Sequence, residues 1–299
     1  MKEIVVLSGK GGVGKSTITA SLGAILSEKY RVVMADTDVD APNIALFFHA
    51  ALKKSRDIRA SEKAFIDYEK CSGCLKCVNT CRFFSIVISH DKPLVVPFSC
   101  EGCGACAIVC PEGAIEIKAA RNGKINVFEM GKAVIISGEL SIGESSSGRL
   151  VDEVKTSARS EANMMGADLI LIDGPPGIGC PVIASIKGSD YVVAVTEPTP
   201  AALNDLKRFL EVVAYFNIPT GIVINKSDIH IKSSQAIREF AVVKGMSVLA
   251  EIPYDISVPR SIASALPVVK AYPESSASKA ICELADKMKS MITGTQNGQ

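Results

Sequence analysis

The sequence lacks a long hydrophobic run, an excess of charge of either sign, and an N-terminal signal peptide pattern. No apolar stretch reaches the ~18 residues that a membrane-spanning helix needs, and the C-terminal helix predicted at 276–292 has no basic, aromatic face for lying on a membrane. Lysine and arginine number 33 against 32 aspartates and glutamates, with no basic run, which argues against non-specific nucleic-acid binding. We expect a cytoplasmic protein with neither a membrane nor a nucleic acid as partner.

What the chain does contain is enough apolar sequence for a large core, 47% of its 299 residues. Short apolar strands alternate with helical segments, which predicts an α/β fold with a doubly wound, mostly parallel sheet. One such domain plus a small module is the natural partition at this length. The module is predicted at 62–118, as an insertion into a larger domain that comprises 1–61 and 119–299.

Eight of the ten cysteines repeat one spacing twice, C-x2-C-x2-C-x3-C. Four thiolates at this spacing bind a [4Fe–4S] cluster, and in two-cluster ferredoxins the fourth cysteine of each run serves the other cluster. Such runs also indicate a reducing compartment rather than disulfides. The implied ligand sets are Cys71, Cys74, Cys77 and Cys110 for the first cluster, and Cys100, Cys103, Cys106 and Cys81 for the second.

Two features of these runs bear on that interpretation. Pro111 completes the usual Cys-Pro ending of the second run, whereas Arg82 stands there in the first, altering a local turn and adding a positive charge near a cluster. Cysteines two residues apart also suit structural zinc, although two complete runs of four favour iron–sulfur clusters. We expect an inserted α+β module similar to a bacterial ferredoxin.

A phosphate-binding loop opens the chain, directly after an apolar strand predicted at 3–8. Residues 9–16 satisfy G-x-x-x-x-G-K-[ST], and a helical pattern follows, as the motif requires. Lys15 is expected to reach the β- and γ-phosphates, and the Ser16 hydroxyl to coordinate Mg²⁺. The residues expected to bind the nucleotide here are Gly11, Gly12, Val13, Gly14, Lys15, Ser16 and Thr17.

An additional lysine near the start of the loop, Lys10, indicates which group of phosphate-loop proteins the sequence resembles. Residues 10–17 resemble the deviant Walker A motif of the MinD/ParA/Mrp superfamily, which includes the nitrogenase iron protein. The resemblance spans nearly the whole chain and is greatest to members with an inserted ferredoxin domain. It implies an ATP-dependent homodimer, or a heterodimer with a paralogue, in which Lys10 acts in trans and Lys15 in cis. The alternative is that Lys10 is a solvated loop residue.

Aspartates follow two further predicted strands. The stretch at 36–40 resembles the family's switch I, which implies that Asp38 positions or activates water while Asp36 supports the Mg²⁺ shell. The apolar run 169–172 leads into Asp173 and resembles Walker B and switch II, where the aspartate holds Mg²⁺ through water. The acidic residues at 36–40 could instead merely cap a helix, although three at alternate positions argue for more. We predict an Mg²⁺-dependent ATPase.

The base is expected beside Asn225 and Pro253, which align with the region where this family holds it. The string from Asn225 to Asp228 also fits N-K-x-D, the guanine-reading signature of GTPases. Because the upstream motifs belong to the ATP-using group, ATP is the expected nucleotide and GTP the alternative.

Two cysteines lie outside the runs. Cys180 follows Asp173 by seven residues, and this region resembles the nitrogenase iron protein, in which a cysteine at the same offset ligates a cluster between two subunits. That protein supplies a second cysteine from a glycine-rich loop before Walker B. The similar stretch of this chain has no cysteine and places Glu144 near that position. A bridging cubane with four thiolates is therefore unavailable. Cys180 is expected to form a transient metal or cluster site in the dimer or, alternatively, to be a small buried residue. Cys282 is expected to be buried on the terminal helix.

Three functions fit these motifs. In the preferred one, nucleotide state is coupled to electron transfer through the two clusters, whose potentials respond to charge, hydrogen bonds and exposure. The alternative is an Mrp-like iron–sulfur carrier or assembly ATPase, and the third is a MinD-like spatial organiser, against which the missing membrane helix argues. The expected partner is a redox protein or a cluster acceptor, which the resemblance does not identify.

Overall fold

The computed structural model describes residues 1–131, 133–144 and 148–293, which divide into two compact units. The first unit comprises Met1–Ser55, Ile125–Glu139 and Ser147–Gln299, and the second comprises Arg56–Lys124 and Leu140–Ser146. Both cysteine runs lie in the second unit. No helix in the described ranges has the length and apolarity needed to cross a lipid bilayer.

The strands form one large sheet and two small ones. In chain order they are β1 (Lys2–Ser8), β2 (Val32–Asp36), β3 (Ala51–Ile58), β4 (Ser61–Ile66), β5 (Ile86–Ser89), β6 (Lys92–Val95), β7 (Ile115–Ala120), β8 (Gly123–Met130), β9 (Ala133–Leu140), β10 (Leu169–Pro176), β11 (Tyr191–Thr196), β12 (Thr220–Asn225) and β13 (Ser247–Ile252).

The large sheet has nine strands in the order β13-β12-β11-β1-β10-β2-β9-β8-β3. Its pairings from β13 to β9 are parallel, so the carboxyl ends of these strands meet at one edge. Strand β1 lies between β10 and β11; the chain passes from β1 to β2 on one side of it, and from β10 across to β11 on the other. Open α/β sheets bind ligands at such a switch point. The predicted mostly parallel α/β sheet is confirmed.

The degree of burial explains which of these strands can be predicted from the sequence. The central strands read as continuous apolar runs because both of their faces are covered, and Ile4–Leu7 and Leu169–Ile172 are almost completely buried. Strand β3, at the sheet edge, is exposed at every residue but Ile58 and carries charged side chains. It has no apolar pattern from which it could be predicted, and charge on an edge strand discourages pairing with another chain.

Helix α6 begins at a recognisable start signal. Pro200 lies in its first turn, and the Thr199 side chain caps it by accepting a hydrogen bond from the Ala202 amide. The helices are α1 (Lys15–Leu26), α2 (Lys76–Thr80), α3 (Ala105–Ile108), α4 (Gly148–Met165), α5 (Cys180–Ile186), α6 (Pro200–Ala214), α7 (Ile231–Val243), α8 (Ser257–Ala263), α9 (Val268–Ala271) and α10 (Ser276–Thr293); Ile44–Phe48 and Pro97–Ser99 are 3-10 helices.

The second unit is built from two antiparallel strand pairs and two short helices. Strand β4 pairs with β7, and β5 pairs with β6 as a hairpin. A small apolar cluster holds these elements together, and cysteines from both runs belong to it or pack against it. Its buried members are Ala64, Cys77, Ile86, Cys106 and Ile115. A core this small is marginal by itself, so groups bound by the cysteines would add to its stability.

Candidate functional site

The phosphate-loop residues connect β1 to α1 at the carboxyl edge of the large sheet. Gly14 precedes the helix in the left-handed region, with φ 97°, where L side chains are disfavoured. A side chain at Gly14 would also collide with the Asn225 amide, which donates a hydrogen bond to the Val13 carbonyl at 2.8 Å. Lys15 is 5% exposed. Asn225, predicted beside the base, therefore braces the loop from the end of β12.

Two buried aspartates lie side by side next to this loop. Asp173 and Asp36 are register partners on β10 and β2, and burial raises the pKa of both carboxyl groups, with their mutual repulsion raising that of Asp36 further. Asp173 accepts a hydrogen bond on Oδ1 from Thr19 at 2.9 Å. Its other oxygen, Oδ2, is buried and has no hydrogen-bond partner in the described residues. A divalent cation would supply the missing partner and offset the repulsion.

Asp36 also binds backbone amides of the loop that follows it, a role that could not be predicted from the sequence. Its carboxylate accepts backbone hydrogen bonds from Asn43 at 2.8 Å and Ile44 at 3.0 Å on Oδ2, and from Asp38 at 3.2 Å on Oδ1. It thereby fixes the loop that carries Asp38. Asp38 itself is half-buried, and desolvation raises its pKa to about 6, with Lys15 acting in the opposite direction.

Lys10 lies 42% exposed and pairs with Glu197, which follows β11, at 3.4 Å. The other carboxylate oxygen of Glu197 binds the Lys226 ammonium at 2.9 Å. Lys10 is thus an accessible ammonium in a weak ion pair, and its departure would leave Glu197 paired with Lys226.

The residues expected near the base occupy the loops after β12 and β13. Pro253 is half-buried, and the amide of its neighbour Tyr254 donates to the Asp228 carboxylate at 2.7 Å. One oxygen of the aspartate that would read guanine therefore holds the Pro253 loop in place. This contact gives the N-K-x-D string a structural explanation.

The C-terminal end of helix α5 contacts both the nucleotide edge and α4. The Ser185 hydroxyl lies 3.0 Å from that of Thr37, and Thr37 also donates to the Asp173 carbonyl at 3.0 Å. At the same end of α5, the buried Lys155 donates to the carbonyls of Ser185 and Lys187, both at 2.7 Å. Burial lowers the pKa of Lys155, against the raising effect of Glu3, with which it forms an ion pair at 2.8 Å.

The two isolated cysteines are both exposed. Cys180 is the first residue of α5, next to the turn that follows β10, so its alternative as a buried residue is wrong. The expectation that Cys282 is buried is also wrong, because the packed face of α10 passes through its neighbours Ile281 and Leu284 and leaves Cys282 outside. Glu144, placed by resemblance near a nitrogenase cluster ligand, lies in the second unit and pairs with Lys63 at 3.0 Å.

The cysteines of each predicted ligand set line one cavity in the second unit. Cys71, Cys74, Cys77 and Cys110 surround the first cavity, together with Pro93 and Ile115. Cys81, Cys100, Cys103 and Cys106 surround the second, together with Phe83 and Ile117. The fourth cysteine of each run thus lies at the cavity of the other run, which is the grouping expected for a two-cluster ferredoxin.

Backbone amides point at several of these sulfurs. Ala114 donates to Cys110 Sγ at 3.3 Å beside the first cavity, and Ser85 donates to Cys81 Sγ at 3.3 Å beside the second. Amide donors of this kind stabilise thiolate ligands and tune the potential of a cluster. Burial raises the pKa of the Cys77 and Cys106 thiols, so metal binding would have to displace their protons.

The donor sets fit a multi-iron cluster and a nucleotide-bound Mg²⁺. Within the described ranges no three His, Cys, Asp or Glu side chains converge closely enough to chelate a single metal ion. A cubane spreads its four thiolates over different irons, and Mg²⁺ takes one or two carboxylates and completes its shell with water and phosphate. Both groups therefore fit what these residues offer.

Comparison with known proteins places this geometry in context. Residues 4–268 match the family described as the CobQ/CobB/MinD/ParA nucleotide binding domain. The protein MJ0578 of Methanocaldococcus jannaschii is 36% identical over 290 residues, covering 97% of both chains. A protein of Aquifex aeolicus named iron-sulfur cluster carrier protein is 25% identical over 307 residues, covering 98% of this chain and 69% of its own.

Solved structures agree with the fold. The septum site-determining protein MinD complexed with Mg-ADP from Pyrococcus horikoshii has a TM-score of 0.60 at 19% identity and covers 99% of both chains. A ParA family ATPase of Chlorobium tepidum has a TM-score of 0.58 at 17% identity and covers 95% of this chain and 98% of its own. The expected MinD/ParA fold is confirmed, whereas the inserted ferredoxin stays a prediction.

Proposed function

Because the chain belongs to the CobQ/CobB/MinD/ParA nucleotide-binding domain family, we propose that it is an Mg²⁺-dependent ATPase that couples its nucleotide state to electron transfer through two [4Fe–4S] clusters. The observation that carries the iron–sulfur part is the arrangement of eight cysteines around two cavities, four from one predicted ligand set around each. We assign the cluster-binding module to 62–118 and the ATPase to 1–61 and 119–299.

The nucleotide chemistry is assigned to the carboxyl edge of the large sheet. Lys15 and the amides of 11–17 hold the phosphates. Ser16 and Asp173 would hold Mg²⁺, Asp173 through water bound to the oxygen that is otherwise without a partner, and the bound ion would supply positive charge beside the transferred phosphoryl group. Asp36 orders the adjoining loop through three backbone amides and adds negative charge beside the metal. Asp38 orients the attacking water and accepts its proton.

The nucleotide is proposed to be ATP, bound between Asn225 and the Pro253 loop. The Asp228 carboxylate would have to face a guanine to read it, and one of its oxygens is already engaged by the Tyr254 amide. The N-K-x-D string is therefore proposed to hold the Pro253 loop in place and not to read guanine.

ATP is proposed to hold two chains together, in a homodimer or with a paralogue. Lys10 would exchange its 3.4 Å contact with Glu197 for the phosphates bound by the partner chain. The exchange costs little because an ion pair this exposed contributes at most about 1 kcal/mol, and Lys226 remains on Glu197 at 2.9 Å.

The clusters are assigned to Cys71, Cys74, Cys77 and Cys110, and to Cys81, Cys100, Cys103 and Cys106. When bound, such clusters accept and release single electrons. The cysteines and the amides of Ala114 and Ser85 hold the sulfurs in place and set how readily an electron is accepted. A complete set of four thiolates at each cavity favours clusters that stay with the protein.

A second candidate function, iron–sulfur cluster delivery, is favoured by two observations. Relatives named iron-sulfur cluster carrier protein align with 96–98% of this chain at 23–25% identity. Cys180 is exposed at the start of α5, and the Thr37–Ser185 contact at 3.0 Å links that helix to the loop that follows β2. In a dimer, two Cys180 thiolates could hold a metal or cluster transiently.

Replacing Cys180 tests the delivery candidate, because electron transfer through resident clusters does not use this residue. For delivery, Cys180→Ser is expected to retain wild-type iron content and ATP binding but to lose most transfer of clusters to an apo-ferredoxin, because the transient site loses its thiolate. For electron transfer through resident clusters, Cys180→Ser that has been reduced with dithionite and freed of excess reductant should reduce a redox acceptor such as cytochrome c at the wild-type rate. Cluster transfer is followed by circular dichroism of the acceptor, and electron transfer by acceptor absorbance.

The matched control is Cys282→Ser, which removes the other exposed cysteine, on α10. It is expected to behave as wild type in both assays. Equal loss of transfer in the two variants would point to general thiol chemistry, and unchanged transfer in Cys180→Ser would remove that residue from any delivery mechanism.

A further inference from the structure

A buried ion pair lies beside the second cysteine cavity. The Lys63 ammonium, on β4, is 3.0 Å from the Glu144 carboxylate, and the two side chains are 7% and 9% exposed. Lys63 also donates to the carbonyl of Cys100 at 3.0 Å. A buried pair of this kind is weak evidence for stability, because desolvation of two charges offsets their attraction. Its position against a predicted cluster ligand calls for another explanation.

Strand β4 contacts the second cysteine run at three consecutive residues. The Glu62 carbonyl lies so close to Gly102 that a side chain there would collide with it. Lys63 binds the Cys100 carbonyl, and the Ala64 amide donates to Cys100 Sγ at 3.4 Å. The ammonium is therefore fixed relative to a cluster-ligating residue by neighbouring backbone contacts.

The other charges that line the cavities are in a different environment. Lys76 and Glu112 line the first cavity and Glu101 lines the second, and all three are exposed. Arg82, next to Cys81, is exposed as well. Water and salt screen exposed charges, whereas a buried charge acts at a lower effective dielectric constant.

We propose that the Lys63–Glu144 pair sets the reduction potential of the [4Fe–4S] cluster at Cys81, Cys100, Cys103 and Cys106, and so makes the two clusters unequal. This inference rests on the proposed function, since it requires both clusters to be bound. Reduction adds one negative charge to a cluster, so a nearby cation favours the reduced state and a nearby anion opposes it. The intact pair supplies both charges, and loss of either partner leaves the other uncompensated.

The test is an anaerobic potentiometric titration followed by electron paramagnetic resonance of full-length protein at mildly alkaline pH. Cys103→Ser identifies which of the two one-electron couples belongs to the second cluster. Lys63→Met is expected to shift that couple to lower potential, and Glu144→Gln to shift it to higher potential. Each shift is expected to change the ratio of reduced to oxidised cluster by roughly tenfold at fixed potential, about 59 mV for one electron.

Two further variants exclude a merely structural effect. The double variant Lys63→Met/Glu144→Leu removes both charges, so its second couple should lie between those of the two single variants. It should also lie below the wild-type potential, because the ammonium, which bonds the Cys100 carbonyl, is the end of the pair that contacts a ligand-bearing residue. A wild-type potential in the double variant would overturn the proposal. Lys76→Met, an exposed lysine at the first cavity, should leave both couples nearly unchanged because its charge is screened.

The proposal is overturned if Lys63→Met and Glu144→Gln shift the second couple in the same direction, if both couples move equally, or if neither moves at wild-type iron content. If Lys63→Met loses its cluster, the direction of the shift in Glu144→Gln decides. Protein that binds no iron and sulfide at all would refute the proposed function instead, so the two failures are distinguishable.

Discussion

Lys15→Ala is expected to abolish nucleotide binding at accessible ATP concentrations. The lysine is 5% exposed at the start of α1, beside Asp38 and Asp173, and is assigned to the β- and γ-phosphates. Losing a charged hydrogen-bond donor to two phosphates removes about 3 kcal/mol or more, which is at least ~100-fold in Kd. Isothermal titration calorimetry with Mg²⁺ and ATP measures the loss.

Lys10→Ala is the matched control for Lys15→Ala, since it removes a lysine from the same loop. Lys10 is 42% exposed and contacts Glu197, so its loss should leave the affinity of a single chain for ATP within a few-fold of wild type. Near-wild-type affinity in Lys15→Ala would show that the loop does not hold phosphates as assigned.

Asp38→Ala is expected to retain ATP binding but to lose turnover. Its carboxylate is half-buried, with a pKa of about 6, close to the value that suits a general base near neutral pH. Removing a general base costs typically ~10²–10⁴-fold in rate. Phosphate release measures turnover, and the neighbouring exposed Asp40 provides the control, Asp40→Ala, which should hydrolyse ATP at close to the wild-type rate.

The same variant tests the proposed dimer, because ATP that is not hydrolysed should hold two chains together. Light scattering is expected to find Asp38→Ala as a dimer with ATP, and Asp38→Ala/Lys10→Ala as a monomer, since Lys10 is assigned to the partner's phosphates. Wild-type hydrolysis by Asp38→Ala would remove Asp38 from the mechanism, and a monomer at all ATP concentrations would contradict the role of Lys10 in trans.

The parts of the site that could be predicted from the sequence are those that depend on adjacent residues. The phosphate loop is one continuous string between a strand and a helix, and the eight cysteines follow two short spacings. Both spacings reflect local geometry, so they can be recognised without knowing the fold. Asp173 could be located because it ends a buried apolar strand, the type of strand that is most visible in a sequence.

The parts that could not be predicted depend on contacts between distant segments. Asp36 binds backbone amides at 38, 43 and 44, and backbone amides carry no sequence signature. Lys63 and Glu144 are far apart in sequence and meet only in the folded chain. The exposure of Cys282, by contrast, could have been predicted, because Ile281, Leu284 and Met288 follow a helical period that leaves Cys282 off the packed face of α10.

The most direct test of the account is an elemental analysis of protein purified and kept without oxygen. Two [4Fe–4S] clusters per chain require about eight iron atoms and about eight acid-labile sulfides, and the account predicts these amounts with little zinc. Cys74→Ser and Cys103→Ser, one at each cavity, should each lower both amounts by about half. Stoichiometric zinc with little sulfide in the wild-type chain would contradict the central claim.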